Sequence, residues 1–172
     1  MDRLEFMNRA SAKSIAIRAY KNADKKRVVK LFDDFQDYLM SIDNIGIVSK
    51  AADYGNKYLK LTLERISDGK GIMYVAVYKG RIIGLIVADV SFPSKDPGVK
   101  PGARGMITDL YVEKGHRREG IGLALMKRAE GYLKSRHCKH IFLEVFVPNT
   151  IAHKFYTKLG YKDCDMDMLK II

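Results

Sequence analysis

Val112-Glu113-Lys114-Gly115-His116-Arg117-Arg118-Glu119-Gly120-Ile121-Gly122 is the stretch that decides the fold. Before it, Met106 to Val112 is rich in apolar and β-branched residues and predicts a strand. After it, Ile121, Leu125, Ala129 and Tyr132 share one face and predict a helix over 120–135. The stretch is therefore a strand-to-helix turn. Gly120 and Gly122 let the backbone approach a ligand closely. The unpaired N–H groups and positive end of the helix favour a phosphate or pyrophosphate. Arg117 and Arg118 add fork-shaped cationic donors. A P-loop would need Gly-Lys-Ser/Thr, which is absent, and a dinucleotide fingerprint would need a small residue where Leu125 stands. Short glycine motifs also occur as helix entries with no ligand, so the turn alone leaves that reading open.

Working outward, Ile141 to Val147 reads as an apolar strand broken only by Glu144, and Asn149 opens a helix that ends at Gly160. The β-α-β unit over 106–147 implies a parallel pair. Upstream, Ile72 to Tyr78 and Arg81 to Val90 flank Lys79-Gly80 and predict a β-hairpin. Ile15 to Tyr20 predicts a short strand. A helix is expected over 24–40, with Asp24 as its cap and Val28, Leu31, Phe32, Phe35, Tyr38 and Leu39 as its stripe; a second is expected from Lys50 to Ile66. Asp163 to Ile172 predicts a last strand. Ser91 to Arg104 holds Pro93, Pro97 and Pro101 and reads as a loop able to gate a site. The expected fold is α/β, with a mixed, mostly antiparallel central sheet, a parallel β-α-β pair and flanking helices.

The chain has 172 residues and a net charge of +11, and its 47% apolar residues with ten Tyr and seven Phe exclude a disordered or fibrous protein. A basic, flexible segment is expected over 1–13 and a single domain over 14–172. The first 30 residues hold nine basic residues against three acidic ones. No apolar run is long enough to span a bilayer, and the start lacks a signal-peptide pattern, so a soluble, cytoplasmic protein is expected. Cys138 and Cys164 read as free thiols of a reducing compartment. His137-Cys138-Lys139-His140 is too tightly spaced for a closed zinc site, so no metal is expected. No nucleic-acid motif accompanies the charge, which argues against nucleic acid as a partner.

Taken together, Arg117-x-x-Gly120-x-Gly122 after Thr108 to Val112, the hairpin Tyr78 to Gly84, and Leu143-Glu144-Val145 followed by Asn149, Ala152, Phe155-Tyr156 and Leu159-Gly160-Tyr161 resemble the GNAT superfamily of N-acetyltransferases. The spacing is similar to that of its ribosomal-protein alanine and diamine acetyltransferase-like members. The resemblance implies acetyl-CoA as co-substrate and transfer of its acetyl group to a primary amine of a small molecule or a protein, without an acyl-enzyme. The other outcome is a non-catalytic acyl-CoA-binding or sensor module of the same fold. By resemblance, Leu110, Tyr111 and Val112 meet the pantetheine arm. Arg117, Arg118, Glu119, Gly120, Ile121, Gly122 and Leu123 cradle the pyrophosphate, and Asn149 bonds the cofactor from the other side. A homodimer is possible.

Direct transfer needs an amine freed of its proton, donors for the carbonyl oxygen, and an acid for the leaving thiolate. By the resemblance Tyr156 is that acid. Glu144 is the first base candidate: it is the lone charge in an apolar strand, where burial would raise its pKa. Asp109, similar to the Asp of diamine acetyltransferases, is its rival. Asp33, Asp34, Asp37 and Asp43 form an acidic cluster read either as a solvated helix face or as an attractor for a cationic amine.

Overall fold

A computed structural model describes residues 15–67, 69–91 and 102–170. The basic segment 1–13 and most of the proline-rich loop lie outside these residues. Five strands, β1 (Ile15–Ala19), β2 (Gly71–Tyr78), β3 (Arg81–Ser91), β4 (Arg104–Val112) and β5 (His140–Leu143), form one sheet in sequence order. Neighbours run antiparallel from β1 to β4, and β4 pairs with β5 in parallel. The helices are α1 (Lys25–Ile42), α2 (Tyr54–Arg65), α3 (Ile121–Ser135) and α4 (Thr150–Lys158). This is the mixed, helix-flanked sheet expected from the sequence. Among the described residues, no helix is long and apolar enough to cross a membrane.

The β2–β3 hairpin closes on Lys79 and Gly80, both at positive φ (47° and 75°). That backbone matches the twist of the paired strands. β3 is buried along nearly its whole length because both its faces are covered. One face packs Ile83, Ile86 and Ala88 with Ile107 against Leu125, Met126, Ala129 and Leu133 of α3. The other packs Met73, Val75, Leu85 and Val87 against Val28, Leu31 and Phe32 of α1 and Leu59 of α2.

One irregularity positions the site. The β3–β4 register pairs Ala88 with Ile107 but Val87 with Asp109, so Thr108 is the extra residue of a β-bulge. A bulge moves every later side chain to the opposite face. Ile107 accordingly packs in the α3 core, whereas Tyr111, four residues on, packs in the α1–α2 core. Asp109 follows Tyr111 onto the α1–α2 side. β5 pairs only with residues 104–107 of β4. Past the bulge the strands separate, so β5 ends at Leu143 rather than at Val147, and the edge of β4 from Thr108 to Val112 is left without a β5 partner.

Three further expectations change. The second helix starts at Tyr54, because Asp43 organises the preceding loop by accepting from the amides of Ile45, Gly46 and Val48 (2.8, 3.0 and 2.7 Å). The Asp24 carboxylate does not cap α1; it takes both Arg18 guanidinium nitrogens (2.6 and 2.8 Å) and the Lys21 amide. Residues 163–170 form no strand. Asp163, Asp165 and Asp167 are poor strand formers, and Met166, Met168 and Leu169 stay exposed with no ladder beside them.

Candidate active site

The turn after β4 adopts the expected geometry for an anion cradle. Arg118 and Gly120 are both at positive φ (65° and 79°), and Gly120 precedes the first helical residue without a side-chain cap. The first intrahelical bond runs from the Ala124 amide to the Gly120 carbonyl. The amides of Ile121, Gly122 and Leu123 precede it and have no carbonyl within the helix to meet. Ile121 buries its side chain in the core and offers only its amide. Glu113 anchors the turn, pairing with Arg27 and Arg81 at once. Arg118 is exposed. Arg117 behaves otherwise: its Nε donates to the Val112 carbonyl (2.9 Å), and its guanidinium lies over the rings of Tyr38 and Tyr111. It braces the turn against α1 rather than projecting from it.

Where β4 and β5 part, a cavity of about 250 Å³ opens. Asp109, Glu144, Asn149 and Tyr156 all line it, with Leu110 between them and Phe35, Tyr54, Tyr58 and Phe146 completing much of the wall. The structure therefore brings all three candidate catalytic side chains and Asn149 to one place. Asn149 caps α4, its Oδ1 accepting from the Ala152 amide (3.2 Å) and the Tyr38 hydroxyl (3.1 Å). This leaves its Nδ2 as the group able to meet a ligand.

The two carboxylates differ from expectation. Glu144 lies beyond the end of β5 and is exposed, so the burial that recommended it is missing. Asp109 is the buried one, at 3% exposure. Tyr58 donates to its Oδ1 (2.8 Å), while Thr108 (2.9 Å) and Arg65 (3.3 Å) donate to its Oδ2. Burial nonetheless wins and pushes the Asp109 carboxyl above the usual range. The Tyr156 hydroxyl makes no hydrogen bond among the described residues; burial, with Asp109 adding to it, pushes it up to about 12. It remains protonated at neutral pH, as a proton donor must.

The acidic cluster is already engaged. Lys50 pairs with Asp33 and Asp37 (3.4 and 2.8 Å), Lys30 pairs with Asp34, Asp33 also accepts from the Gly55 amide, and Asp43 holds its own loop. The two lysines offset half of the cluster's four negative charges. Sequence reasoning missed Tyr38, Tyr54, Tyr58 and Arg65. Tyr54, Tyr58 and Arg65 stand at i, i+4 and i+11, a helical stripe that the sequence displays once the helix is known to face the sheet.

The splayed β4–β5 pair, the capless turn into α3 and the shared cavity meet at one place and form the candidate site. Residues 30–161 match the Acetyltransferase (GNAT) family model, and the chain belongs to that family. It is 37% identical over 91 residues to an uncharacterized N-acetyltransferase of Methanocaldococcus jannaschii, covering 52% of each chain. It is 28% identical over 114 residues to a second from the same organism, covering 66% of this chain and 48% of the relative. The chain thus spans about half the length of these two relatives. An N-alpha-acetyltransferase of Sulfurisphaera tokodaii is 26% identical over 128 residues, covering 73% of this chain and 77% of the relative. Among solved structures, a tetramutant protein from Bacillus halodurans superposes with a TM-score of 0.80 at 20% identity, covering 91% of this chain and 99% of that one. At such identity the likeness concerns the fold.

Proposed function

We propose that the protein transfers the acetyl group of acetyl-CoA to a primary amine by direct attack, in the cytoplasm. The observation that carries this reading is that Tyr156, Asp109, Glu144 and Asn149 line one cavity where the β4 edge is unpaired. The residues present suit the coenzyme. The free amides from Ile121 to Leu123, with Arg118 beside them, suit a pyrophosphate. The edge of β4 around Leu110 and Tyr111 offers backbone groups to an extended amide-bearing arm, while the Val112 carbonyl already serves Arg117. Asn149 adds one amide donor from α4. The thioester supplies the acetyl group when bound, and everything else falls to this chain.

Asp109 accepts the ammonium proton and so frees the nitrogen's lone pair. Glu144, on the exposed rim, draws the cationic amine toward the cavity. Tyr156 gives its proton to the departing sulfur. The acceptor is a primary amine of a small molecule or of a protein, as the names of the N-alpha-acetyltransferase relative and of an aminoglycoside acetyltransferase relative from Acinetobacter haemolyticus suggest. Thiol release from acetyl-CoA, followed across small amines, aminoglycosides and peptides with free N-termini or lysines, tests the reading. Acetyl-CoA binding with no turnover on any of them would leave only a binding module.

A further inference from the structure

Resting on the transferase reading above, we propose that Asp109 acts through Tyr58, which faces the cavity as the proton-passing group, and that Arg65 is the positioning residue that keeps Asp109 ionised. Neither α2 residue belongs to the turn or to the β5–α4 segment. Tyr58 lines the cavity and donates to Asp109 Oδ1 at 2.8 Å. It is stacked on Tyr54 (ring centroids 5.3 Å apart) and meets Phe32 edge-on, which fixes its ring. Both Asp109 oxygens are already hydrogen-bonded, so the Tyr58 oxygen is a ready entry to the carboxylate from the cavity. Behind it, Arg65 bridges two buried acids, with Nη2 on Asp109 Oδ2 (3.3 Å) and Nε on Asp89 Oδ2 (3.1 Å). Its Nη2 also donates to Thr108 (2.8 Å). Asp89 and Asp109 are buried like charges, and such a pair holds a proton unless a cation lies between them.

The groups facing Asp109 are Tyr54, Tyr58 and Arg65 of α2, Thr108 and Asp89 of the sheet, Tyr156 of α4 and Glu144 across the cavity. Arg65 is the only cation among them. The step balances. An N–H proton of the acceptor ammonium passes to the Tyr58 oxygen as the Tyr58 proton passes to Asp109 Oδ1. The freed nitrogen pair forms the C–N bond while the C–S bond breaks, and the sulfur takes the Tyr156 proton. The nitrogen, which still carries two protons once the C–N bond has formed, gives one of them to the Tyr156 oxygen and becomes the neutral amide, and Asp109 releases its proton to water.

The test is the pH profile of kcat/KM for the acceptor in wild type, Arg65→Gln, Arg65→Lys and Tyr58→Phe. Removing the cation raises the Asp109 pKa, and a base works only when ionised. The rising limb of Arg65→Gln therefore moves to higher pH by about one unit or more. On the acid side that is a loss of about tenfold, which closes toward wild type as pH rises. Arg65→Lys returns the limb most of the way, and Tyr58→Phe, which removes the hydrogen bond to Asp109 Oδ1, lowers kcat even on the high-pH plateau as well as moving the limb to higher pH. Thr108→Val, which deletes a second donor to the same oxygen, moves the limb the same way and decides the matter should Arg65→Gln not fold. A limb that stays put in Arg65→Gln, or in Thr108→Val, overturns the proposal, as does an equal loss at every pH. If wild type acetylates no amine, it is the transferase reading that fails; if it does and the limb is fixed, only this inference fails.

Discussion

Replacing Tyr156 by Phe separates chemistry from stability. A tyrosine with an ordinary net hydrogen bond would lose about 1 kcal/mol with its hydroxyl. Tyr156 has no such bond to lose, and its ring contacts with Phe155 and Tyr161 (centroids 5.3 and 5.9 Å apart) survive in phenylalanine. The melting temperature should therefore move by less than about 4 °C, the equivalent of ~1 kcal/mol at this size. The rate should behave differently. Loss of a positioned general acid costs roughly 10²- to 10⁴-fold, which is ~3 to 5 kcal/mol in the barrier. The assay is thiol release at saturating acetyl-CoA and acceptor, run beside a thermal melt. The pH dependence of stability gives a second readout. The fold raises the Tyr156 pKa from 10 to about 12, so the unfolded chain loses this proton first. Stability falls as pH climbs through that window, and Tyr156→Phe lacks this share of the fall. If Tyr156→Phe keeps kcat within about twofold of wild type, the acid assignment is wrong, since even the weakest general-acid effect exceeds that. If it melts many degrees lower, the residue is structural.

Other perturbations carry equally direct expectations. Asp109→Asn should lower kcat and erase the rising pH limb, whereas Glu144→Gln should mainly raise the acceptor KM; the reverse pattern would return the base role to Glu144. Gly120→Ala forces a side chain onto φ 79°, a strain of ~1 to 2 kcal/mol, and should weaken acetyl-CoA about tenfold by titration calorimetry; an unchanged Kd would remove the turn from the coenzyme site. Asn replacement of Asp33, Asp34 and Asp37 together should leave the acceptor KM unchanged, because Lys30, Lys50 and Gly55 already engage these acids; a raised KM would restore the cluster as an attractor. Gly55→Ala would place a Cβ 2.5 Å from the Val29 carbonyl and 2.7 Å from Asp33 Oδ2. It should push α2 off α1 at ~1 to 3 kcal/mol, seen as a lower melting temperature and a poorer acceptor kcat/KM as Tyr58 moves; a wild-type melt would contradict the packing.

What the sequence disclosed and what it hid differ in range. The Lys79-Gly80 hairpin, the glycine turn at 120–122 and the Asn149 cap are local, and the residue types that form them sit side by side in the chain. The bulge at Thr108 is not local. It depends on how β3 and β4 meet, and it alone decides that Asp109 faces α2 while Glu144 falls past the end of β5 into solvent. The sequence therefore named both carboxylates that line the cavity but expected the other one to be buried. The acidic run 33–37 looked free because Lys50, its main partner, lies in a loop beyond it. Arg65 looked like an ordinary helix end because Asp89 and Asp109 are distant in sequence. Asp163 to Ile172 alternates like a strand, but alternation describes a face, and 163–170 have no neighbouring strand to pair with.

The central claim is acetyl transfer at the Asp109–Tyr156 cavity, and steady-state thiol release with mass analysis of the acceptor tests it most directly. The account predicts acetylated amine in step with released coenzyme A, initial-rate lines that intersect because both substrates are bound together, and loss of both products in Asp109→Asn and Tyr156→Phe. Parallel initial-rate lines with an acetylated protein intermediate, or full turnover in both variants, would contradict it.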